Sequence, residues 1–222
     1  MDDTWFDNVL YPLQDEVLAR LAAVETGFYL SGGTAAARVY LHHRYSDDLD
    51  LFVNDDPLFA LWADRIVEAL HTTARWAVNV QLREARFVRC VVATPQANLK
   101  IEMINDVPGR VGEPWLHAAF GRVDAAENIL ANKVTALLDR REPKDLADVW
   151  GFCCHNGQSL PAAIAGARGK MLGVFIPDVA RALASVTADD WARVRWRSPA
   201  PPAEQFVRDL QTLAAELLLG EE

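Results

Sequence analysis

The chain has little cysteine and no pattern that would pair it. Its 222 residues contain Cys90, Cys153 and Cys154, an odd number without a C-x-x-C spacing. That excludes a disulfide framework and argues against a zinc ribbon, so all three thiols are read as buried and structural. No apolar run approaches the roughly 20 residues of a transmembrane helix. The start, Met1-Asp2-Asp3-Thr4-Trp5, is acidic and lacks the basic residues that open a signal peptide. A cytoplasmic protein without a membrane span is expected. Positive charge is short as well: 22 Lys and Arg face 31 Asp and Glu, a formal net charge of −9. A broad nucleic-acid footprint needs a positive surface, so an extended one is not expected. A small anionic ligand held with a divalent metal survives this test, because the metal brings the positive charge. So does an end-on grip of an RNA terminus. There is no internal repeat and no low-complexity tract.

What is present reads as α+β followed by all-α. The composition, 51% apolar and 24% charged, is ordinary for a globular protein. Apolar residues at helical spacing predict a helix over 7–23. Phe28-Tyr29-Leu30 is a short apolar strand, broken by Ser31-Gly32-Gly33-Thr34, and a helix follows to His43. Asp48 to Val53 alternates charge with bulk and reads as a strand. A helix over 58–71 precedes three strand-like runs, 76–82, 87–93 and 99–104, whose β-branched content suggests an antiparallel meander. Residues 105–114 form a loop. After them the pattern is helical to the end, starting from a capping-box-like Asp124-Ala125-Ala126-Glu127. The expected division is an α+β domain over 1–118 and a helical domain over 119–222.

The chemistry is concentrated in carboxylates beside a glycine turn. Asp48 and Asp50, two apart on a strand, point to the same face roughly 7 Å apart. Two such carboxylates repel unless cations lie between them, and two-metal phosphoryl-transfer sites use that pairing with ions about 4 Å apart. Mg²⁺ suits all-oxygen sites that share phosphate ligands. Glu102, alternating with apolar residues in Leu99–Ile104, is the third candidate. The competing reading makes all three solvent-side residues of an amphipathic sheet. The upstream turn shifts that balance. Gly32 and Gly33, between a strand and a helix start, let backbone N–H groups approach phosphate. Thr34 would cap the helix or contact phosphate, and Ser46 would shape the metal-site loop or cap a turn. His42 and His43 read as packing or surface residues, with a catalytic base as the rarer alternative.

Ser31-Gly32-Gly33-Thr34-Ala35-Ala36, followed by His43-Arg44-Tyr45-Ser46-Asp47-Asp48-Leu49-Asp50-Leu51-Phe52, resembles the first motif of the AbiEii-type toxin nucleotidyltransferases. Asn132 to Leu137, Arg140-Arg141 and Lys144 to Val149 resemble that family's downstream segment, with Lys144 where Arg is usual. The resemblance implies a polymerase-β-like nucleotidyltransferase domain, a mixed sheet with flanking helices, followed by a C-terminal helical domain. It implies transfer of a nucleoside monophosphate from an NTP to an acceptor hydroxyl on an RNA or tRNA end or on a protein. It also implies two Mg²⁺ ions and a cognate antitoxin. On this reading Asp48, Asp50 and Glu102 are metal ligands and catalytic, Glu102 either binding the second metal or deprotonating the attacking hydroxyl. Gly32, Gly33, Thr34, Ser46 and Lys133 bind the nucleotide, and Asp145 is catalytic.

Lys133 has its own physical argument. It falls within the apolar stripe Ile129, Leu130, Val134, Leu137, where an ammonium needs an anionic partner. An NTP would supply one; snorkelling from the stripe's edge is the alternative. Asp145 and Asp148, three apart on the next helix, either orient basic residues or complement the helix dipole. Trp191-Ala192-Arg193-Val194-Arg195-Trp196-Arg197 reads as an RNA-contacting surface or as an amphipathic helix with a basic end. A non-catalytic relative that binds only nucleotide or a partner, and a nucleotidyltransferase acting on a small molecule, are the rival functions.

Overall fold

The structure, a computed structural model, describes residues 3–220. It contains two compact units that interleave along the sequence. The first takes the chain up to Ala35, then Ser46–Pro108 and Glu113–Asp124; the second takes Ala36–Tyr45, Gly109–Gly112 and everything from Ala125 on. Fourteen residues before position 119, Ala36–Tyr45 and Gly109–Gly112, thus cluster with the helical unit.

The first unit is built on a seven-stranded mixed sheet. Its strands are β1 (Tyr29–Ser31), β2 (Leu49–Asn54), β3 (Ala77–Arg83), β4 (Phe87–Ala93), β5 (Asn98–Asp106), β6 (Trp115–His117) and β7 (Gly121–Val123), in the order β3-β4-β5-β2-β1-β7-β6. The meander β3-β4-β5 is antiparallel, as the sequence suggests; β2 runs parallel to β5 and antiparallel to β1. Alternation sets the faces. Leu49, Leu51, Val53, Val88, Cys90, Val92, Leu99, Ile101 and Met103 are all buried. Two helices supply apolar stripes of their own: α1 (Tyr11–Ala22), through Leu13, Val17, Leu18 and Leu21, and α3 (Phe59–His71), through Phe59, Ala63, Ile66 and Leu70. They pack on each other, α1 also meeting β7 and α3 meeting β3 and β4. The opposite face is left to Asp50, Lys100, Glu102 and Arg89.

Two expectations fail between β5 and the helical unit. The chain after the loop is not helical at once. It makes the hairpin β6–β7, which joins the sheet where Leu30 pairs in parallel with Val123. Each strand has three residues, too few to show a period, and Gly121 turns the hairpin at φ +70°. Asp124 does not cap the next helix either. Ala125 holds that position without a side-chain cap, while the Asp124 carboxylate accepts a 2.7 Å hydrogen bond from Ser31 Oγ.

The second unit holds α4 (Ala126–Asp139), α5 (Pro143–Trp150), α6 (Leu160–Arg168), α7 (Ile176–Ala184), α8 (Ala188–Ala192) and α9 (Ala203–Leu219). The α5 helix continues as a π-helical turn, Gly151–His155. The stray segments are held locally. Val111 N donates to Asn128 Oδ1 at 3.0 Å, and Lys170 Nζ donates to Gly109 O at 2.9 Å. Tyr45 N donates to Arg195 O at 2.8 Å, and Arg197 N to His43 O at 2.9 Å. The Trp-Arg segment is not one helix, since α8 stops at Ala192. Trp196 instead meets Trp150 and Phe206 edge-on, with centroids 5.8 and 5.3 Å away. Cys90 is buried, Cys153 half-buried and Cys154 exposed, so the reading of three buried thiols holds for one. Burial pushes the Cys90 thiol up to about 11 and Cys153 up to about 12, which keeps both as thiols at neutral pH.

Candidate active site

In the sheet unit the site begins with a single backbone choice. Gly32 opens the short helix α2 (Gly32–Ala35) at φ +64°. A Cβ at that position would lie 2.2 Å from Asp50 Oδ2. Glycine therefore serves both the left-handed turn and the carboxylate on the next strand. Ser31, just before it, faces Asp50 in the antiparallel register.

The loop into β2 is fastened from beneath. Thr34 Oγ1 donates to the Asp48 carbonyl and shares a 3.0 Å hydrogen bond with Ser46 Oγ. Gln14 Nε2 donates to Ser46 O at 3.1 Å, and Ser46 N donates to Tyr11 Oη at 3.2 Å. Thr34 and Ser46 are both buried. Their hydroxyls fix the backbone that carries Asp48 rather than facing out toward a ligand.

Asp50 and Glu102 stand opposite each other in the parallel β2–β5 pair, and Arg89 stands opposite Glu102 on β4. Glu102 is held by two cations. Arg89 reaches its Oε1 through Nε and Nη2, both at 2.7 Å, and Lys100 Nζ lies 3.3 Å from the same oxygen. Lys100 Nζ also lies 2.9 Å from Asp48 Oδ2. Burial alone would lower the Lys100 pKa; the hydrogen bond and charge of Asp48, with those of Glu102, outweigh it and raise the pKa above its usual value. Lys100 and Arg89 went unnoticed in the sequence. Alternation along β5 carries the signal for Lys100, since residues 100 and 102 share a face.

Among the described residues, no group of three or more His, Cys, Asp and Glu side chains is arranged to hold a metal. The donor chemistry nevertheless fits a hard divalent ion at Asp48 and Asp50, with all-oxygen ligands and a protein ammonium already standing in as a cation. Glu102, expected as a third ligand, has its charge answered by Arg89 and Lys100.

The helical unit gathers the other predicted residues. Lys133 Nζ lies 2.8 Å from Asp145 Oδ1 and 2.8 Å from Asp148 Oδ2. Arg44 grips Asp148 with both arms, Nε to Oδ1 and Nη2 to Oδ2, each at 2.7 Å. Arg140 Nε donates to Asp145 Oδ2 at 3.1 Å. The anionic partner that Lys133 needs is thus present in the chain, and snorkelling is excluded: its side chain is 7% exposed. Burial would push these carboxyls up, but Lys133 and Arg140 hold Asp145 below its usual range. Arg44 and Lys133 hold Asp148 well below it. Lys133 is raised by Asp148 and Asp145 against its own burial. His43 is buried, with Nε2 3.1 Å from Asp148 Oδ1. Burial lowers its pKa, more than Asp148 restores. Lys144 stays at the surface with Glu142, 2.9 Å away.

A family model for the nucleotidyl transferase AbiEii toxin of type IV toxin–antitoxin systems matches residues 16–215. The chain belongs to the AbiEii nucleotidyltransferase toxin family. Solved structures agree at the level of the fold. JHP933 from Helicobacter pylori superposes with a TM-score of 0.67 at 18% identity, over 98% of this chain and 93% of that one. The MenT4 nucleotidyltransferase toxin from Mycobacterium tuberculosis does so with a TM-score of 0.60 at 17% identity, over 95% and 83%. A search of curated protein sequences returns no match. The family match takes in both Asp48-Leu49-Asp50 and the Lys133–Asp145–Asp148 cluster.

Proposed function

We propose that this AbiEii-family nucleotidyltransferase moves a nucleoside monophosphate from an NTP to an acceptor hydroxyl, using divalent metal held by Asp48 and Asp50. The observation that carries this reading is the Gly32–Asp50 approach: a turn that admits no side chain lies directly against the second carboxylate of the D-x-D pair. Mg²⁺, as two ions, suits the oxygen donors; when bound it would neutralise phosphate charge and orient the reacting oxygens. The residues do the positioning. The Gly32-Gly33 backbone offers N–H groups to phosphate, while Thr34 and Ser46 keep Asp48 in place. Glu102, clamped by Arg89 and Lys100, serves as a charge anchor rather than as the base. Asp145 acts through Lys133 and Arg140, as a positioning residue. A triphosphate approaching Lys133 would compete with two carboxylates already bound.

The acceptor is an RNA or tRNA end, or a protein side chain, gripped locally because the net charge of −9 opposes a long nucleic-acid track. The family supports a toxin with a cognate antitoxin, and the proposal places it in the cytoplasm. No helix among the described residues is long and apolar enough to cross a membrane. The test is transfer of label from each α-³²P NTP to cell extract with Mg²⁺ supplied or chelated. Incorporation should vanish with chelator, with Asp48→Ala and with Asp50→Ala, and nuclease or protease sensitivity then identifies the acceptor. Full activity in Asp48→Ala would overturn the assignment.

A further inference from the structure

Lys100 is the unassigned charge at this site. Its ammonium bridges Asp48 Oδ2 and Glu102 Oε1, at 2.9 and 3.3 Å. Asp48 ends the loop just before β2, while Asp50 and Glu102 stand opposite each other on adjacent parallel strands. The shared ammonium brings Asp48 beside Glu102, and Asp50 faces Glu102 across the strand pair, so three carboxylates crowd this end of the sheet. Without a cation among them they would repel across a partly screened space. Arg89 answers Glu102 alone; Lys100 is the cation that reaches Asp48. It occupies Asp48 Oδ2, and a divalent ion binding this carboxylate would meet the ammonium as a repelling like charge at close range.

We infer that Lys100 is a tethered cation that keeps the carboxylate face assembled without metal and must leave Asp48 when a divalent ion binds. This rests on the metal assignment proposed above for Asp48 and Asp50. The consequence is a trade. The unloaded site keeps one net negative charge, three carboxylates against Lys100 and Arg89, and metal affinity is set lower than the carboxylates alone would make it. Loading then frees an ammonium beside the reacting phosphates. Lys100 is in this sense a positioning residue for the metal.

The test measures metal binding directly, apart from turnover. Mn²⁺ is titrated into the full-length protein, with free Mn²⁺ read by electron paramagnetic resonance. Lys100→Met and Lys100→Gln, checked for native circular dichroism, should bind Mn²⁺ about tenfold more tightly. Arg83→Met removes a charge paired with Asp64 on the exposed surface, and should change affinity less than about twofold. Tightening in the Lys100 variants alone supports the inference; unchanged or weaker binding in them overturns it. Binding in neither wild type nor variants overturns it together with the metal assignment, whereas equal binding in all overturns the Lys100 role alone. A second readout covers a variant that misfolds. The chain has four lysines, so ¹³C-dimethylation gives a simple spectrum. The Lys100 signal should shift as Mg²⁺ saturates the wild-type protein, and a signal unmoved at saturation overturns the inference.

Discussion

Arg44 grips Asp148 through two parallel 2.7 Å hydrogen bonds, between residues 104 positions apart in sequence. Both side chains are nearly inaccessible to solvent, so neither charge can turn to water if the other is lost. Lys133 adds a second cation on Asp148 Oδ2. Removing one partner of a buried pair strands the other and costs about 3–5 kcal/mol. Arg44→Ala and Asp148→Ala should each lose stability on that order in urea unfolding. The double variant should lose less than the sum, because the stranded charge is gone. Arg44→Lys keeps the charge without the fork and should fall between wild type and Arg44→Ala.

The same cluster sets an acid limit in two stages. His43 is buried against Asp148, Arg44, Lys133 and the Trp196 ring, and burial holds its pKa below the ordinary 6.5. The folded chain then binds fewer protons at this site than the unfolded chain does, so stability is full above 6.5 and declines as pH falls below it. Asp145 and Asp148 have lowered pKa values, against an ordinary 3.8. Their contribution is present above 3.8 and is lost as pH falls further, through their folded values. Unfolding free energy measured from pH 8 to pH 3 should show an early decline and a later, steeper one. His43→Gln should flatten the early decline and leave the late one. A single decline starting near 4 in the wild type would remove His43 from the account.

Gly32→Ala tests the turn. The substitution places a methyl group 2.2 Å from Asp50 Oδ2 on a backbone at φ +64°. Left-handed strain in a non-glycine residue costs on the order of 1–3 kcal/mol. The clash moves the carboxylate proposed to hold metal. Nucleotide transfer should fall at least about a hundredfold, the scale of losing one preorganised charge-stabilising group. The melting temperature should fall by only a few degrees. Gly157→Ala is the comparison: φ is +73° and nothing lies within 4 Å of its Cβ, so it carries the strain without the collision. Transfer there should stay within about twofold of wild type.

The fold was legible where a period is long enough to count. Helices α1, α3 and α9 carry apolar stripes over 12 or more residues, and β4 and β5 alternate over seven and nine. The hairpin β6–β7 was not, because three residues show no alternation and the parallel pairing of Val123 with Leu30 is tertiary. The charged residues divide the same way. Asp48, Asp50 and Gly32 are local in sequence and keep a local geometry. The apolar stripe around Lys133 calls for an anion, but its partners arrive from another helix, and sequence spacing does not choose between a carboxylate and a nucleotide. Arg44 looked like part of a loop motif. Its partner lies 104 residues away, and no local pattern points there.

The Trp-Arg segment separates two readings that its composition leaves open. Trp196 lies edge-on to Trp150 and Phe206, its Nε1 donates to Trp191 O at 3.0 Å, and Trp191 Nε1 donates to Pro201 O at 2.9 Å. Both indole N–H groups are satisfied, both rings are half-buried and packed on each other, so neither is a free stacking platform for a base. Arg193 is exposed, with Asp190 3.7 Å away. Trp196→Ala should therefore cost about 3 kcal/mol, the low end for a large aromatic side chain that keeps some exposure. Arg193→Ala should change stability by less than about 0.5 kcal/mol. Acceptor modification by Arg193→Ala, measured in the same labelling reaction at low and high salt, should match wild type at both. A salt-dependent loss would return this segment to the role of an RNA-contacting surface.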